Sequence, residues 1–366
     1  TELADNFIKD ISKKINNVKP SDIINKKPLF NIKVVTLIVM FIAIISLLLS
    51  CSSAKEKKLP QEPISCDILI SNGTIYDGSG SKPYVGSLAI KDDKIIYVGE
   101  NTDFQADTVI DATGLAVSPG FINMLSWGYN SLMDDGRALS DLKQGVTLEV
   151  FGEGTSPGPY WNDGKFTSFG EAMTMLEENG VSVNIASFLG AATTRILEVG
   201  YKNRQATPSE MERMRGHVEN SMKEGAMGIG SSLIYAPGDY ASTEELTELS
   251  KVASEYGGMY ISHLRSEGTN LLEALEELIS ISRNANIPAE VYHLKASREP
   301  NWSKLDDVIK RIEEVRKEGL KITADIYTYN ASSTGLTGVI PTWVQEGGHR
   351  AWINRMKDPD VRPRLL

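Results

Sequence analysis

Cysteine is nearly absent: Cys51 and Cys66 are the only two in 366 residues, which argues against a disulfide framework and leaves stability to a buried core. Histidine is almost as scarce, with four in the chain, His217, His263, His293 and His349. A basic excess is also missing. The 48 acidic residues outnumber 38 lysines and arginines for a net charge of −10, which disfavours nucleic acid as a partner. The apolar run from Val34 to Leu49, broken only by Thr36 and Ser46, falls short of the roughly 20 residues that a stable membrane span needs.

What surrounds that run is informative. A lysine-rich stretch from Lys9 to Lys33 precedes it, with four acidic residues in the first 33, and Leu48-Leu49-Ser50-Cys51 closes it. Charge, apolar run and abrupt end are the layout of an export signal. The closing string resembles a bacterial lipobox, in which the cysteine is acylated and becomes the new N-terminus. Residues 1–51 are therefore expected to be a basic region plus signal segment, with Cys51 the lipidation site. That places the protein in a bacterial cell envelope, lipid-anchored and facing periplasm or exterior; an uncleaved membrane anchor is the alternative. Residues 52–66 are polar, carry two prolines and read as a tether. The first 51 residues hold seven lysines and four acids, so their removal takes the net charge from −10 to −13.

From residue 67 to 116 the texture is that of short strands rich in Ile, Val and Tyr, at 67–70, 74–76, 87–90, 94–98 and 108–110. Asn72-Gly73, Asp77-Gly78 and Asp92-Asp93 punctuate them as turns. This predicts the N-terminal part of a small β domain. After Gly114 the rhythm becomes strand, loop, helix, with strands expected at 117–124, 146–151, 183–188, 227–231, 259–263, 290–293 and 322–327. Ser168 with Glu171, Thr207-Pro208 with Glu210, and Ser242 with Glu245 mark helix starts as capping boxes. Seven β/α steps predict an α/β fold, a barrel or a doubly wound sheet, over 117–366. A barrel needs eight strands, and the seventh lies close to Leu366, so strand eight is expected to be missing and the sequence to be a fragment.

His263 and His293 close consecutive predicted strands. In a β/α barrel the strand C-terminal ends converge on one mouth, and imidazoles there commonly hold a catalytic metal. This suggests a metal-dependent hydrolase.

Asp67-Ile68-Leu69-Ile70 through Asn72-Gly73-Thr74-Ile75-Tyr76-Asp77-Gly78, then Val117-Ser118-Pro119-Gly120-Phe121-Ile122, resembles the opening of the amidohydrolase superfamily. Gly145-Val146-Thr147, Gly152-Glu153-Gly154, Ser232 to Gly238, the two histidine segments and Asp325-Ile326-Tyr327 narrow the resemblance to the D-aminoacylase branch, the N-acyl-D-amino-acid deacylases. It runs from Asp67 to about Gly348. The resemblance implies a TIM-like (β/α) barrel beside a small β-sandwich domain. It also implies one zinc ion held by His263, His293 and Glu153, the last beside a position where many members carry cysteine. Tyr327 and Ser333 match residues that flank substrate in relatives, with an N-acyl amino acid as the small-molecule substrate; Arg265 and Lys295, each two residues after an implied ligand, are expected to point into the mouth and hold a carboxylate. Two departures stand out. The H-x-H that ends strand one in the superfamily falls at Leu125 and Trp127, which bind no metal and leave a mononuclear site. The aspartate on strand eight that acts as general base is expected beyond Leu366, so no catalytic base is expected in this fragment, which is expected to be inactive alone.

Structural roles compete at several positions. Glu153 can be a carboxylate capped in a Gly-rich turn, with Glu149 as rival; Arg265 and Lys295 can pair with Glu267 or Glu299 at the rim; Asp325 can serve the strand layer. His217 and His349 read as surface residues. At the level of function, another amidohydrolase acting on cyclic amides or dipeptides and a non-catalytic binding lipoprotein stand as alternatives to the deacylase.

Overall fold

The computed structural model describes residues 63–100 and 103–365. Cys51, the export segment and most of the expected tether lie outside the described residues. No described helix is long and apolar enough to cross a membrane. The chain divides into two compact units, one reaching Ile75 and resuming over Lys82–Val117, the other made of Tyr76–Ser81 and everything from Ser118.

The first unit is a mixed sheet. Strands β1 (Ile64–Ile75), β2 (Tyr84–Lys91), β3 (Lys94–Gly99) and β4 (Phe104–Asp111) lie in the order β3-β2-β1-β4, and β5 (Ala116–Val117) pairs with β1. Cys66, Leu69 and Ala89 are buried on one face, with Tyr97, Phe104 and Ala106 packed against them. Cys66 is a free buried thiol and acts as a small apolar residue there.

Three expectations change. The sheet begins at Ile64, inside the stretch read as tether. The strands expected at 67–70 and 74–76 are one strand, because Asn72-Gly73 forms a bulge rather than a turn: Asn72 takes φ 61° and the register shifts between Ile70 and Gly73. Glycine is required at 73, since a Cβ there would lie 2.4 Å from Val117 Cγ2. In place of a sandwich, the described residues of this unit form a single sheet.

The second unit is α/β. Strands β6 (Phe121–Asn123) and β7 (Val146–Phe151) come first, followed by a hairpin of β8 (Tyr160–Asn162) and β9 (Lys165–Thr167). Then come β10 (Asn184–Ser187), β11 (Leu189–Gly190), β12 (Gly228–Ser232), β13 (Met259–His263), β14 (Ala289–Val291) and β15 (Ile322–Ala324). One parallel sheet has the order β10-β7-β6 and another β11-β12-β13-β14-β15. Only Phe188 separates β10 from β11, and its N–H donates to the Phe151 carbonyl at 2.9 Å. One strand thus passes from the first sheet to the second, and the parallel strands follow one another in chain order. The strand pairing runs from β6 to β15 without closing among the described residues. The strand expected at 117–124 is split, with Val117 ending β5 and Phe121 opening β6. Pro119 between them has no N–H to give a ladder.

Helices bury one stripe against this array. In Leu271–Ala285, Leu271, Ala274, Leu275, Leu278, Ile279 and Ser282 are buried at the spacing of one helix face. Ser168 and Thr207 form full capping boxes with Glu171 and Glu210. Ser242 caps only through its hydroxyl, accepting from the Glu245 N–H, while the Glu245 side chain turns inward to Arg195 at 2.6 Å.

Candidate active site

Three strand ends bring the site together. Glu153 follows β7 after Gly152, whose φ of 111° and close approach to the Phe188 carbonyl, 2.4 Å from where a Cβ would stand, exclude a side chain. His263 is the last residue of β13. His293 lies two residues past β14 in a left-handed conformation, φ 38°, and its N–H donates to Asp325 Oδ1 at 2.7 Å. A non-glycine residue in that region is strained, and the Asp325 acceptor holds it there.

The side chains converge. His263 Nδ1 is 2.8 Å from Glu153 Oε1, and His293 Nε2 is 3.7 Å from the same oxygen. The imidazoles meet edge to face with centroids 4.4 Å apart. One donor atom from each of the three residues lies within 4.8 Å of the others. Ser232 Oγ donates to Glu153 Oε1 at 3.2 Å, and the Trp127 indole N–H donates to Oε2 at 2.9 Å. Glu267 stands on the other side, its Oε1 3.1 Å from His293 Nδ1 and 3.6 Å from His263 Nε2. Lys295 Nζ pairs with that Glu267 oxygen and lies 2.8 Å from His293 Nδ1.

Electrostatics follow from this crowding. Burial raises the Glu153 and Glu267 carboxyls, but hydrogen bonds and charge from the imidazoles, joined by Lys295 at Glu267, overcome it and hold each at about 2. His293 is depressed by burial and raised more by the two carboxylates, ending at about 9. Asp325 is pushed up to about 6, chiefly by burial, against the His293 N–H bond and with Glu290 adding to the rise.

The donor set fits a zinc ion. Two imidazoles and a carboxylate are zinc ligands of the three-residue catalytic type. His263 Nε2 is buried without a hydrogen-bond partner, an unsatisfied atom that a metal bond would use.

These residues line a cavity of roughly 1770 Å³ together with Leu125, Tyr235, Tyr327 and Ser333. Among the described residues, Lys295 is the one lysine or arginine on its wall. Arg265 is elsewhere. Its guanidinium forks onto Glu277 at 2.8 and 2.9 Å and donates to the carbonyls of Asp239 and Ala241, so its donors serve the packing of helix Leu271–Ala285 instead of the mouth. Glu149 is also turned away from the cluster, accepting from Ser126 Oγ at 2.6 Å. His217 pairs with Glu198 at 2.8 Å, outside the cavity, whereas His349 lies on the cavity wall. Asp325, read as part of the strand layer, faces the cavity. Glu267 was legible only as a rim partner; its i+4 spacing from His263 falls in a Ser-Glu-Gly loop where no periodicity assigns a direction.

No protein-family model matches the chain. It is 31% identical over 285 residues to D-aminoacylase of Alcaligenes xylosoxydans xylosoxydans, across 74% of this chain and 59% of that enzyme. A solved D-aminoacylase structure, concerned with a binuclear metal centre with one-metal activation and second-metal attenuation, matches with a TM-score of 0.65 at 28% identity, over 72% of this chain and 59% of that one. The N-acyl-D-glutamate deacylase of Bordetella bronchiseptica, complexed with zinc and a phosphonate mimic of the tetrahedral intermediate, gives a TM-score of 0.65 at 26% identity over the same shares. The chain spans about three-fifths of the length of these relatives. Its homologues are D-aminoacylases and N-acyl-D-amino-acid deacylases, metal-dependent enzymes of the amidohydrolase family.

Proposed function

We propose that the protein is a zinc-dependent deacylase of N-acyl-D-amino acids, built on a TIM-like barrel. The observation that carries this is the convergence of Glu153, His263 and His293, with one imidazole nitrogen buried and unpartnered, in a chain homologous to such deacylases. Zinc held by these residues supplies a Lewis acid for the amide carbonyl and for water. The remaining roles belong to the chain. Glu153 stays anionic and balances the charge of the centre, while Ser232 and Trp127 fix its orientation. Asp325 anchors the His293 backbone and so aims its ring. In this reading Lys295, whose ammonium lies 5.6 Å from the centre of the Tyr327 ring, orients the substrate carboxylate, and Tyr327 and Ser333, which line the same cavity, flank the substrate. A carboxylate base, in the same reading, would take the proton from water and return it to the leaving amine.

The same reading includes a single ion, since Leu125 and Trp127 offer no ligand, and attachment of the protein to a bacterial envelope membrane through lipid on Cys51. The test of the centre is metal content. His263→Ala and His293→Ala are each expected to lose zinc while keeping the wild-type circular dichroism, because ligands at a strand mouth stabilise such a fold less than its core does. Full zinc occupancy in both variants sinks the assignment.

A further inference from the structure

The loop after β13 is folded so as to deliver Glu267. Ser266 Oγ accepts from the N–H groups of Gly268 and Asn270 at 3.2 and 3.3 Å, and the Ser297 N–H donates to the Glu267 carbonyl at 2.8 Å. The carboxylate is mostly buried and its two oxygens have separate partners. Ser297 Oγ donates to Oε2 at 3.2 Å, and Oε1 is left to face His293 Nδ1 at 3.1 Å and the Lys295 ammonium. The same Oε1 is 3.6 Å from His263 Nε2, too far for a hydrogen bond, so its imidazole partner is His293.

His293 thus lies between two carboxylates. Its Nε2 is the nitrogen on the side of Glu153, at 3.7 Å, and its Nδ1 faces Glu267. An imidazole that gives the lone pair of one nitrogen to a metal keeps its proton on the other, and the hydrogen bond at that other nitrogen selects the state. Nδ1 has two neighbours that pull in opposite directions. The Glu267 carboxylate can only accept there, which requires a proton on Nδ1 and frees the Nε2 lone pair. The Lys295 ammonium, 2.8 Å from Nδ1, can only donate, which would leave the proton on Nε2 and shut the ring to a metal beside Glu153. Glu267 draws that ammonium onto its own Oε1, and the His293 carbonyl accepts from it at 3.0 Å.

Resting on the zinc centre proposed above, we infer that Glu267 is a positioning residue: it holds the proton on His293 Nδ1, presents the Nε2 lone pair to the metal side, and keeps Lys295 from reversing that choice. It ties the metal ligand to the one lysine or arginine that the described residues place on the cavity wall. Outer partners of this kind change metal affinity by about 10- to 100-fold.

The test uses the full-length gene product as wild type, Glu267→Leu, Glu267→Gln, Lys295→Met, and the double variant of Glu267→Leu with Lys295→Met, each checked by circular dichroism. Zn²⁺ affinity is measured by competition with a chromophoric chelator. In parallel, ¹⁵N-imidazole spectra of the zinc-loaded wild type, tractable with four histidines in the chain, show which nitrogen of His293 keeps the proton. The wild type is expected to be protonated at Nδ1 and bound through Nε2. Glu267→Leu is expected to hold zinc about 10- to 100-fold more weakly, Glu267→Gln, whose amide oxygen still accepts, to lose less, and Lys295→Met to stay near the wild type. In the double variant the opposing donor is gone, so much of the lost affinity is expected to return, which loss of packing alone would not produce. A double variant no tighter than Glu267→Leu, an unchanged affinity in Glu267→Leu, or a wild-type His293 protonated at Nε2 overturns the inference while leaving the zinc centre standing. A wild type that binds no zinc overturns both. If Glu267→Leu does not fold, the wild-type spectrum alone decides.

Discussion

Replacing Arg195 with methionine is expected to destabilise the protein more than any surface change. Arg195 has no exposed side-chain surface, and Glu245, its partner at 2.6 Å, is 3% exposed. The same guanidinium donates to the carbonyls of Lys202, at 3.3 Å, and Arg204. Methionine fills the volume but leaves a buried carboxylate without its counter-charge, a loss of about 3–5 kcal/mol. With a urea slope of about 3 kcal/mol per molar, the midpoint falls by about 1–1.7 M. The site should feel this, because Ala192 and Ile196 of the same helix, Ala191–Glu198, line the cavity and the Ala192 N–H bonds the carbonyl of Gly154, next to Glu153. The assay is urea unfolding followed by circular dichroism, on wild type, Arg195→Met, Glu245→Leu and the double variant. Removing both charges leaves no unpaired ion, so the double variant should return to within about 1–2 kcal/mol of wild type. An Arg195→Met midpoint within about 0.3 M of wild type, or a double variant no better than the worse single one, refutes the argument from charge burial.

Gly152→Ala should destabilise by about 3 kcal/mol, since φ 111° is strained for alanine and its Cβ would meet the Phe188 carbonyl at 2.4 Å; an unchanged thermal midpoint counts against that clash. In metal-free protein, Asp325 takes up a proton at about 6 in the folded chain against 3.8 as its ordinary value. Its folded pKa is raised, so its contribution is full below about 3.8 and is lost as pH rises through 6, on the order of 2–3 kcal/mol in all. Asp325→Asn should remove that downward slope between pH 4 and 6 from the urea midpoints, and a difference between wild type and variant that is flat with pH contradicts it. Cys51→Ala should abolish incorporation of a fatty-acid probe in a bacterial host, and continued labelling contradicts the lipid anchor.

The sequence carried the regular parts of this molecule well. Seven parallel steps, the caps at Ser168 and Thr207, and the placement of His263 at a strand end follow from short-range rules: side-chain periodicity, capping chemistry, turn residues. What it did not carry depends on distant partners. Asn72-Gly73 has the composition of a turn, but the strand continues through it because β2 and β5 pair with β1 on either side. Arg265, two residues past a strand end, would point into the mouth only if the chain stayed extended; Glu277 and two carbonyls capture it instead. Glu245 has the place of a capping-box partner and a better one in buried Arg195, 50 positions away. Glu267 reaches the imidazoles from a loop, where no periodic rule assigns a direction.

The most direct measurement is amine release by the full-length gene product, loaded with zinc, from matched N-acetyl-D- and N-acetyl-L-amino acids. The account predicts release from the D series only, lost on chelation and in His263→Ala, and restored to the wild type by added zinc. Release from the L series, or none from either with zinc bound and the fold intact, contradicts it.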